Sequence, residues 1–151
     1  MRIMGLDYGT KTVGVAISDE LLMTAQPKET IWRTRDGMIR KTLARIEALV
    51  QEYDVRMIVL GLPLNMDESV GERAEATMAF RERLERRTSL PVVFSDERLT
   101  TVAADEMLSQ MEIPAGDRKQ YIDQVAASLI LQEYMENHRQ DLALLADQER
   151  N

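Results

Sequence analysis

The sequence contains no cysteine, a single histidine and a single tryptophan among its 151 residues. Without cysteine the chain can form neither a disulfide nor a thiolate metal site, which is typical of cytosolic proteins. Any bound metal would therefore be held by carboxylates, and such oxygen ligands favour Mg²⁺ or Mn²⁺. The one histidine, His138, falls at the predicted end of a helix, so we expect no histidine general base.

The sequence also lacks a long apolar run and an excess of basic residues. No segment approaches the ~18 apolar residues of a membrane span, and a strand begins almost at residue 1. We therefore expect a cytoplasmic protein with no membrane contact and no signal peptide. The 19 Lys and Arg residues are outnumbered by 26 Asp and Glu, giving a net charge of −7. This argues against broad non-specific nucleic-acid binding, although a local basic groove is compatible with it.

The composition that remains is that of one globular domain, with 44% apolar and 30% charged residues. We find no linker, internal repeat or low-complexity tract. The prediction is a single domain over residues 1–138, long enough for one filled core, followed by a polar C-terminal tail over residues 139–151 that frays.

Residues 2–19 hold the pattern on which the rest of the interpretation depends. An apolar strand ends at Asp7, a turn at Gly9 follows, and apolar residues then alternate with small or polar ones. The pattern predicts two antiparallel strands. Because an unpaired buried carboxylate is costly, Asp7 should either meet a cation or cap the turn.

Further along the chain, helices and strands alternate. A third extended segment at 21–32 is interrupted at Pro27, and a helix at 36–53 and a strand at 57–63 follow it. Ser69 and Glu72 are predicted to cap the next helix, and the last strand ends at Asp96-Glu97. Two helices complete the chain, one from Thr100 or Thr101 to 110 and one capped by Asp117 that reaches about 137. The order predicts an α/β fold with the layout of ribonuclease H. Its mixed five-stranded sheet would have three antiparallel strands plus two parallel ones, flanked by helices.

Three carboxylates from distant parts of the chain are predicted to meet at one end of this sheet. If the first, fourth and fifth strands are parallel neighbours, Asp7 and the pair Asp96-Glu97 open at the same end. Side chains alternate along a strand, so only one of that pair should face the site, and we favour Glu97 for its reach. Asp123 comes from the last helix, on an apolar stripe formed by Ala126, Ala127, Ile130, Leu131 and Tyr134.

Like charges so close together repel unless a cation neutralises them. We therefore predict a Mg²⁺ or Mn²⁺ site with Asp7, Glu97 and Asp123 as ligands and catalytic residues. Two ions about 4 Å apart would activate a water and stabilise the leaving oxygen of a phosphodiester. For Asp123 the alternatives are a salt bridge to an arginine such as Arg98, or a place at the wet margin of the stripe.

Four further side chains are candidate substrate contacts. Lys11 and Arg98 could each meet a phosphate, with a solvated turn and a local ion pair as their respective alternatives. Thr10 could donate a hydrogen bond to substrate. Asn65 could touch a phosphate or a base, or simply form a turn.

Four stretches resemble the signature segments of the YqgF/RuvX family: GLDYGTKTVGVAISD, GLPLNMD, DERLTT and IDQVAASLIL. The resemblance covers nearly the whole chain and implies a fold like those of ribonuclease H and RuvC-type Holliday-junction resolvases. It also implies a cytoplasmic, metal-dependent nuclease that processes the 5′ end of pre-16S ribosomal RNA, in which Asp7, Glu97 and Asp123 match the acidic positions. Two features depart from the family pattern: Glu68 replaces a glycine, and only Arg118 and Lys119 remain of a basic run expected to contact substrate.

Four functions follow from these observations. The first is a metal-dependent endonuclease acting on pre-rRNA, which a monomer or weak homodimer could perform. The second is a resolvase of branched DNA, which requires a symmetric dimer. The third is nucleotide binding, because LDYGT resembles the phosphate-binding turn of the actin and sugar-kinase superfamily, although those proteins need two such domains. The fourth is a non-cleaving module that binds ribosomal or transcription proteins.

Overall fold

The computed structural model describes residues 1–33, 39–63, 70–96 and 100–150, with the side chains of residues 100–102, 105, 115, 119, 120 and 150 left out of the description. Within these ranges the five predicted strands are present. They are β1 Arg2–Tyr8, β2 Thr12–Ser18, β3 Ala25–Trp32, β4 Val55–Leu62 and β5 Val92–Asp96. The helices are α1 Ile39–Glu52, α2 Glu72–Thr88, α3 Thr100–Gln110, α4 Ala115–Asn137 and α5 Arg139–Arg150.

The strands form one sheet in the order β3-β2-β1-β4-β5. The β1–β2 and β2–β3 pairs are antiparallel, whereas the β1–β4 and β4–β5 pairs are parallel. The predicted mixed sheet is therefore confirmed. Strands β1, β4 and β5 all finish at the same end of the sheet, at Tyr8, Leu62 and Asp96, and we call this end the carboxyl end.

Each face of the sheet carries its own apolar cluster. On one face, side chains such as Met4, Leu6 and Leu60 pack against α1 and α2, and we call it the α1/α2 face. On the other, the α4 face, Ile3 and Val59 pack against α4. This division follows from strand alternation, because successive residues of a strand point to opposite faces. Helix α3 lies outside this arrangement and packs on the far side of α4.

Two glycines let α4 approach the sheet closely. A Cβ on Gly14 of β2 would lie 1.9 Å from the carbonyl oxygen of Asp123, and one on Gly5 of β1 would lie 2.8 Å from that of Ala127. Since real Cβ contacts are far longer, any side chain at these positions would push the helix away. Residues 123, 127 and 131 thus form a row of α4 that rests on strand backbone.

The end of the chain differs from the sequence prediction. Residues 139–151 were expected to fray, but Arg139–Arg150 is helix α5, and Leu142 is buried in the α4-face cluster beside Leu22. One apolar turn of the helix is enough to hold an otherwise polar segment on the domain. The division of the chain at residue 138 itself stays a prediction.

Several element boundaries also differ, among them the start of β4, which is Val55 rather than residue 57. Strand β3 begins at Ala25 and runs through Pro27, which is tolerated because β3 is an edge strand with a register shift at that point. Helix α2 begins at Glu72 after Gly71, without a side-chain cap; Ser69, the predicted cap, lies outside the described residues. Helix α4 begins after Pro114, two residues before the predicted cap at Asp117. In the described part of the chain, no helix has the length and apolarity to cross a bilayer.

Candidate active site

Asp7 lies one residue before the carboxyl end of β1, on the α4 face. It alternates with Ile3 and Gly5, both of which contact α4, and it is half-buried. In the antiparallel register its partner on β2 is Gly14. Because directly paired residues of an antiparallel sheet present their Cβ atoms to the same face, the empty space above Gly14 adjoins the Asp7 side chain.

Asp123 fills that space. Its backbone rests on Gly14, and its carboxylate Oδ2 accepts a hydrogen bond of 2.7 Å from the Thr12 hydroxyl Oγ1. Thr12 is two residues from Gly14 on the same face, so β2 supplies both the seat for Asp123 and the donor that orients its carboxylate. Two acidic residues separated by 116 positions in sequence, Asp7 and Asp123, are thereby brought to the two sides of Gly14.

The remaining acidic candidates are the consecutive residues Asp96 and Glu97. Asp96 is the last residue of β5 and pairs with Leu62. Phe94 packs on the α1/α2 face and Val93 on the α4 face, so alternation assigns Asp96 to the face opposite Asp7. Glu97, the predicted ligand, lies outside the described residues, and its role stays a prediction.

The described acids suit a hard divalent cation. Carboxylate oxygens such as those of Asp7 and Asp123 are the donors that Mg²⁺ and Mn²⁺ prefer. Counting only described residues, no group of three acidic or histidine side chains is close enough to hold a metal. The predicted third carboxylate ligand, Glu97, lies outside the described residues.

Three of the six predicted substrate contacts have described side chains. Thr10 and Lys11 are exposed in the turn between β1 and β2, and the Lys11 carbonyl accepts a hydrogen bond of 2.8 Å from the Arg33 backbone. Arg118 donates from Nε to the Ile113 carbonyl at 3.0 Å, where α3 meets α4. The side chain of Lys119, and all of Asn65 and Arg98, lie outside the described residues. None of these six side chains is tested as a substrate contact.

A cluster of aromatic and basic side chains on the α1/α2 face was not predicted. The Tyr8 ring stacks on Phe80 at a centroid distance of 4.0 Å, and the guanidinium groups of Arg33 and Arg73 lie 4.8 and 5.4 Å from the Tyr8 centroid. Arg73 also donates to the Tyr8 carbonyl at 2.7 Å, and Arg33 donates to the Gly9 carbonyl. The two arginines thus hold the backbone that directly follows Asp7.

Thr12, Arg33 and Arg73 were not predicted, for different reasons. Thr12 could have been found from the sequence, because it lies two residues from Gly14 and therefore on the same face of the sheet as Asp7. Arg33 and Arg73 could not, since they reach Tyr8 across 25 and 65 residues of chain. Contacts of that separation leave no periodic trace in one sequence.

The same fold occurs in two solved structures of another protein. RuvC of Thermus thermophilus in complex with a Holliday junction substrate matches with a TM-score of 0.53 at 14% identity, over 90% of this chain and 96% of that one. A second Thermus thermophilus RuvC structure gives a TM-score of 0.51. At this level of identity the likeness concerns the fold alone, and it confirms the ribonuclease H-like class.

Sequence comparison defines the family within that class. The family model described as "RuvX: Holliday junction resolvase" matches residues 1–137, and the chain belongs to this family. It is 58% identical to a "Putative pre-16S rRNA nuclease" of Lachnospira eligens, over 91% of this chain and 98% of the relative. A relative with the same name from Agathobacter rectalis is 53% identical, over 90% and 95% of the two chains. Helix α5 begins after the last residue that the family model matches.

Proposed function

We propose that this protein is a Mg²⁺- or Mn²⁺-dependent endonuclease that processes the 5′ end of pre-16S rRNA. The substrate follows from the names of relatives that are more than half identical over nearly their whole length. The observation that carries the chemistry is the placement of Asp7 and Asp123 on the two sides of Gly14. Two carboxylates from distant parts of the chain that both adjoin Gly14 would attract a divalent cation.

Asp7, Glu97 and Asp123 are the proposed ligands and catalytic residues. Glu97 is preferred to Asp96 because Asp96 shares the face of Phe94, away from Asp7. Thr12 keeps the Asp123 carboxylate in one orientation through its 2.7 Å hydrogen bond. Hydrogen bonds of this kind commonly set the affinity of a metal ligand without touching the metal.

A divalent cation, when bound, supplies charge stabilisation to the phosphodiester and lowers the pKa of a coordinated water. The chain would hold this cation through two residues whose backbone positions are fixed by packing. Asp7 is fixed by the β1–β2 ladder, and Asp123 by the helix row that rests on Gly5 and Gly14. Thr10 and Lys11, exposed in the adjoining turn, are the proposed contacts to the RNA backbone, together with Asn65, Arg98, Arg118 and Lys119.

The experiment compares three variants on precursor 16S rRNA with Mg²⁺, Mn²⁺ or EDTA. Asp7→Asn should reduce the cleavage rate about a thousandfold or more. Without the metal's charge stabilisation, the activation free energy would rise by several kcal/mol. Glu97→Gln should behave in the same way, whereas its neighbour Asp96→Asn should cleave within a few-fold of wild type. Circular dichroism melting checks that each variant is folded. Cleavage by Asp7→Asn at the wild-type rate would rule the mechanism out.

A second candidate function is the resolution of branched DNA, which the description of the family model favours. A synthetic four-way junction in the same assay separates the two substrates. Resolution needs two active sites on one junction, so it also requires a dimer in solution. The preferred function predicts cleavage of the RNA by a monomer or weak dimer in the cytoplasm, and binding without cleavage of either substrate would favour a ribosomal or transcriptional binding module.

A further inference from the structure

Two of the seven aromatic side chains are exposed, and both belong to the neighbourhood of Asp123. All seven aromatic residues fall within the described ranges. Trp32 is 60% exposed and Tyr121 is 42% exposed, whereas the other five are buried or half-buried. Tyr121 is two residues before Asp123 on α4. Trp32 is far from Asp123 in sequence, so its position must be read from the sheet.

Trp32 is placed beside the site by the β2–β3 register. It is the last residue of β3 and pairs with Thr12, whose hydroxyl binds Asp123. Its neighbour Ile31 packs in the cluster of the α1/α2 face, so the Trp32 indole lies on the α4 face, as do Thr12 and Asp123. Strand β3 is an edge strand, so no further strand of the sheet lies beside Trp32 on its outer side.

The indole contributes little to the described core. Trp32 belongs to none of the three buried clusters and makes none of the described aromatic or cation–π contacts. Tryptophan is enriched at binding interfaces, because its ring offers a large apolar surface while its N–H can reach water or a polar partner. A flat, exposed ring one strand away from a candidate phosphodiesterase site has the chemistry to stack on a nucleobase.

We propose that Trp32 is a stacking platform for an unpaired base of the RNA substrate next to the cleavage site. This inference rests on the proposed nuclease function. It adds that the RNA is single-stranded where it contacts Trp32. Aromatic stacking accepts any base and requires that the base be unpaired. It also does not need a strongly basic surface, which suits a chain with a net charge of −7.

The chain offers a direct probe, because Trp32 is its only tryptophan. Titration of a single-stranded RNA 12-mer in EDTA, where cleavage cannot interfere, should quench the tryptophan emission of the wild-type protein to saturation. Labelled-RNA anisotropy should show that Trp32→Ala raises the Kd for this RNA about tenfold. The Kd for a duplex of the same length should stay within twofold.

Two variants make the test specific. Trp32→Phe keeps a stacking ring and should stay within about threefold of the wild-type Kd. Leu144→Ala removes an apolar side chain of similar exposure, 62%, from α5 and should change nothing. Unquenched emission, a Trp32→Ala Kd within twofold of wild type, or an equal loss on duplex would overturn the proposal. If Trp32→Ala does not fold, the wild-type emission and Trp32→Phe decide the question.

Failure of this inference and failure of the nuclease function are distinguishable. Cleavage by Asp7→Asn at the wild-type rate would refute the nuclease mechanism and leave the binding measurements in EDTA untouched. Conversely, normal RNA affinity in Trp32→Ala would refute stacking while the cleavage results stand.

Discussion

At the end of β1 the two faces of the sheet carry opposite charges, although consecutive residues build them. Asp7 points to the α4 face, where Asp123 lies beside it across Gly14. Tyr8 points to the α1/α2 face, where the guanidinium groups of Arg33 and Arg73 lie against its ring. Strand alternation places Asp7 and Tyr8 on opposite faces, and the charged residues that surround each of them differ in sign. A net charge averaged over the chain therefore says little about the field at this end of the sheet.

The faces also differ in how closely the helices approach. On the α4 face Gly14 has no side chain, so the backbone of α4 rests directly on the backbone of β2. On the α1/α2 face the Tyr8 and Phe80 rings fill the space between sheet and helix. A tight, glycine-based contact leaves little freedom in the height of Asp123 above the sheet. A contact through large side chains tolerates small shifts.

The largest expected effect comes from breaking the close contact. Gly14→Ala places a Cβ 1.9 Å from the Asp123 carbonyl oxygen, and neither group is a flexible side-chain end. Overpacking of this kind should lower the free energy of unfolding by about 3 kcal/mol or more. Urea denaturation followed by circular dichroism measures it.

Gly116→Ala is the matched control for Gly14→Ala. Gly116 is exposed in the first turn of α4, and a Cβ there meets nothing within 4 Å. Alanine favours helix over glycine, so this variant should be up to about 1 kcal/mol more stable. Equal denaturation midpoints for the two variants would mean that α4 does not rest on β2 as described.

The second prediction concerns the orientation of the Asp123 carboxylate on the α4 face. Thr12→Val keeps the shape of the side chain but removes the hydroxyl that donates to Asp123 Oδ2. The Mn²⁺ concentration needed for half-maximal cleavage should rise about 10- to 100-fold, as is usual when a ligand loses its supporting hydrogen bond. Thr88→Val removes a hydroxyl that bonds to the Leu84 and Leu90 backbone at the end of α2, and it should leave the metal titration unchanged. Identical titration curves for all three proteins would leave Thr12 without a part in metal binding.

Part of this site could be predicted because it follows local rules. Asp7 lies near the end of a strand with a clear apolar pattern, and the apolar stripe that includes Asp123 identifies the face of α4 that packs on the sheet. The structure places Ala127, Ile130 and Leu131 of that stripe in the α4-face cluster, while Ala126 packs toward α3. A 3.6-residue period defines a broad face, and it cannot divide that face between two neighbouring elements.

The rest depends on contacts between distant residues. Thr12 and Asp123 are 111 residues apart, and Tyr8 and Arg73 are 65 apart. Only the assembled sheet decides which side chains meet. The glycines gave a partial signal, because Gly5 and Gly14 occupy the same face of adjacent strands, yet the sequence does not say which helix would rest on them. Helix α5 was missed because a mostly polar segment is held by few apolar residues, Leu142 above all.

The smallest expected effects test whether the basic face takes part in binding. Arg73 donates to the Tyr8 carbonyl and is half-buried, so we expect it to support the strand end rather than the RNA. Arg73→Gln should cost about 1–2 kcal/mol of unfolding free energy, the value of a charged hydrogen bond, and leave the salt dependence of RNA binding unchanged.

Lys11 is the opposite case, because its side chain is exposed in the turn beside Asp7. Lys11→Gln should keep the unfolding free energy within about 0.5 kcal/mol and reduce the slope of log Kd against log salt by about 0.7, the value of one phosphate contact on a single strand. Anisotropy titrations at several salt concentrations measure both variants. A reduced slope in Arg73→Gln instead would mean that RNA reaches the α1/α2 face, and that the two faces bind one substrate together around the end of β1.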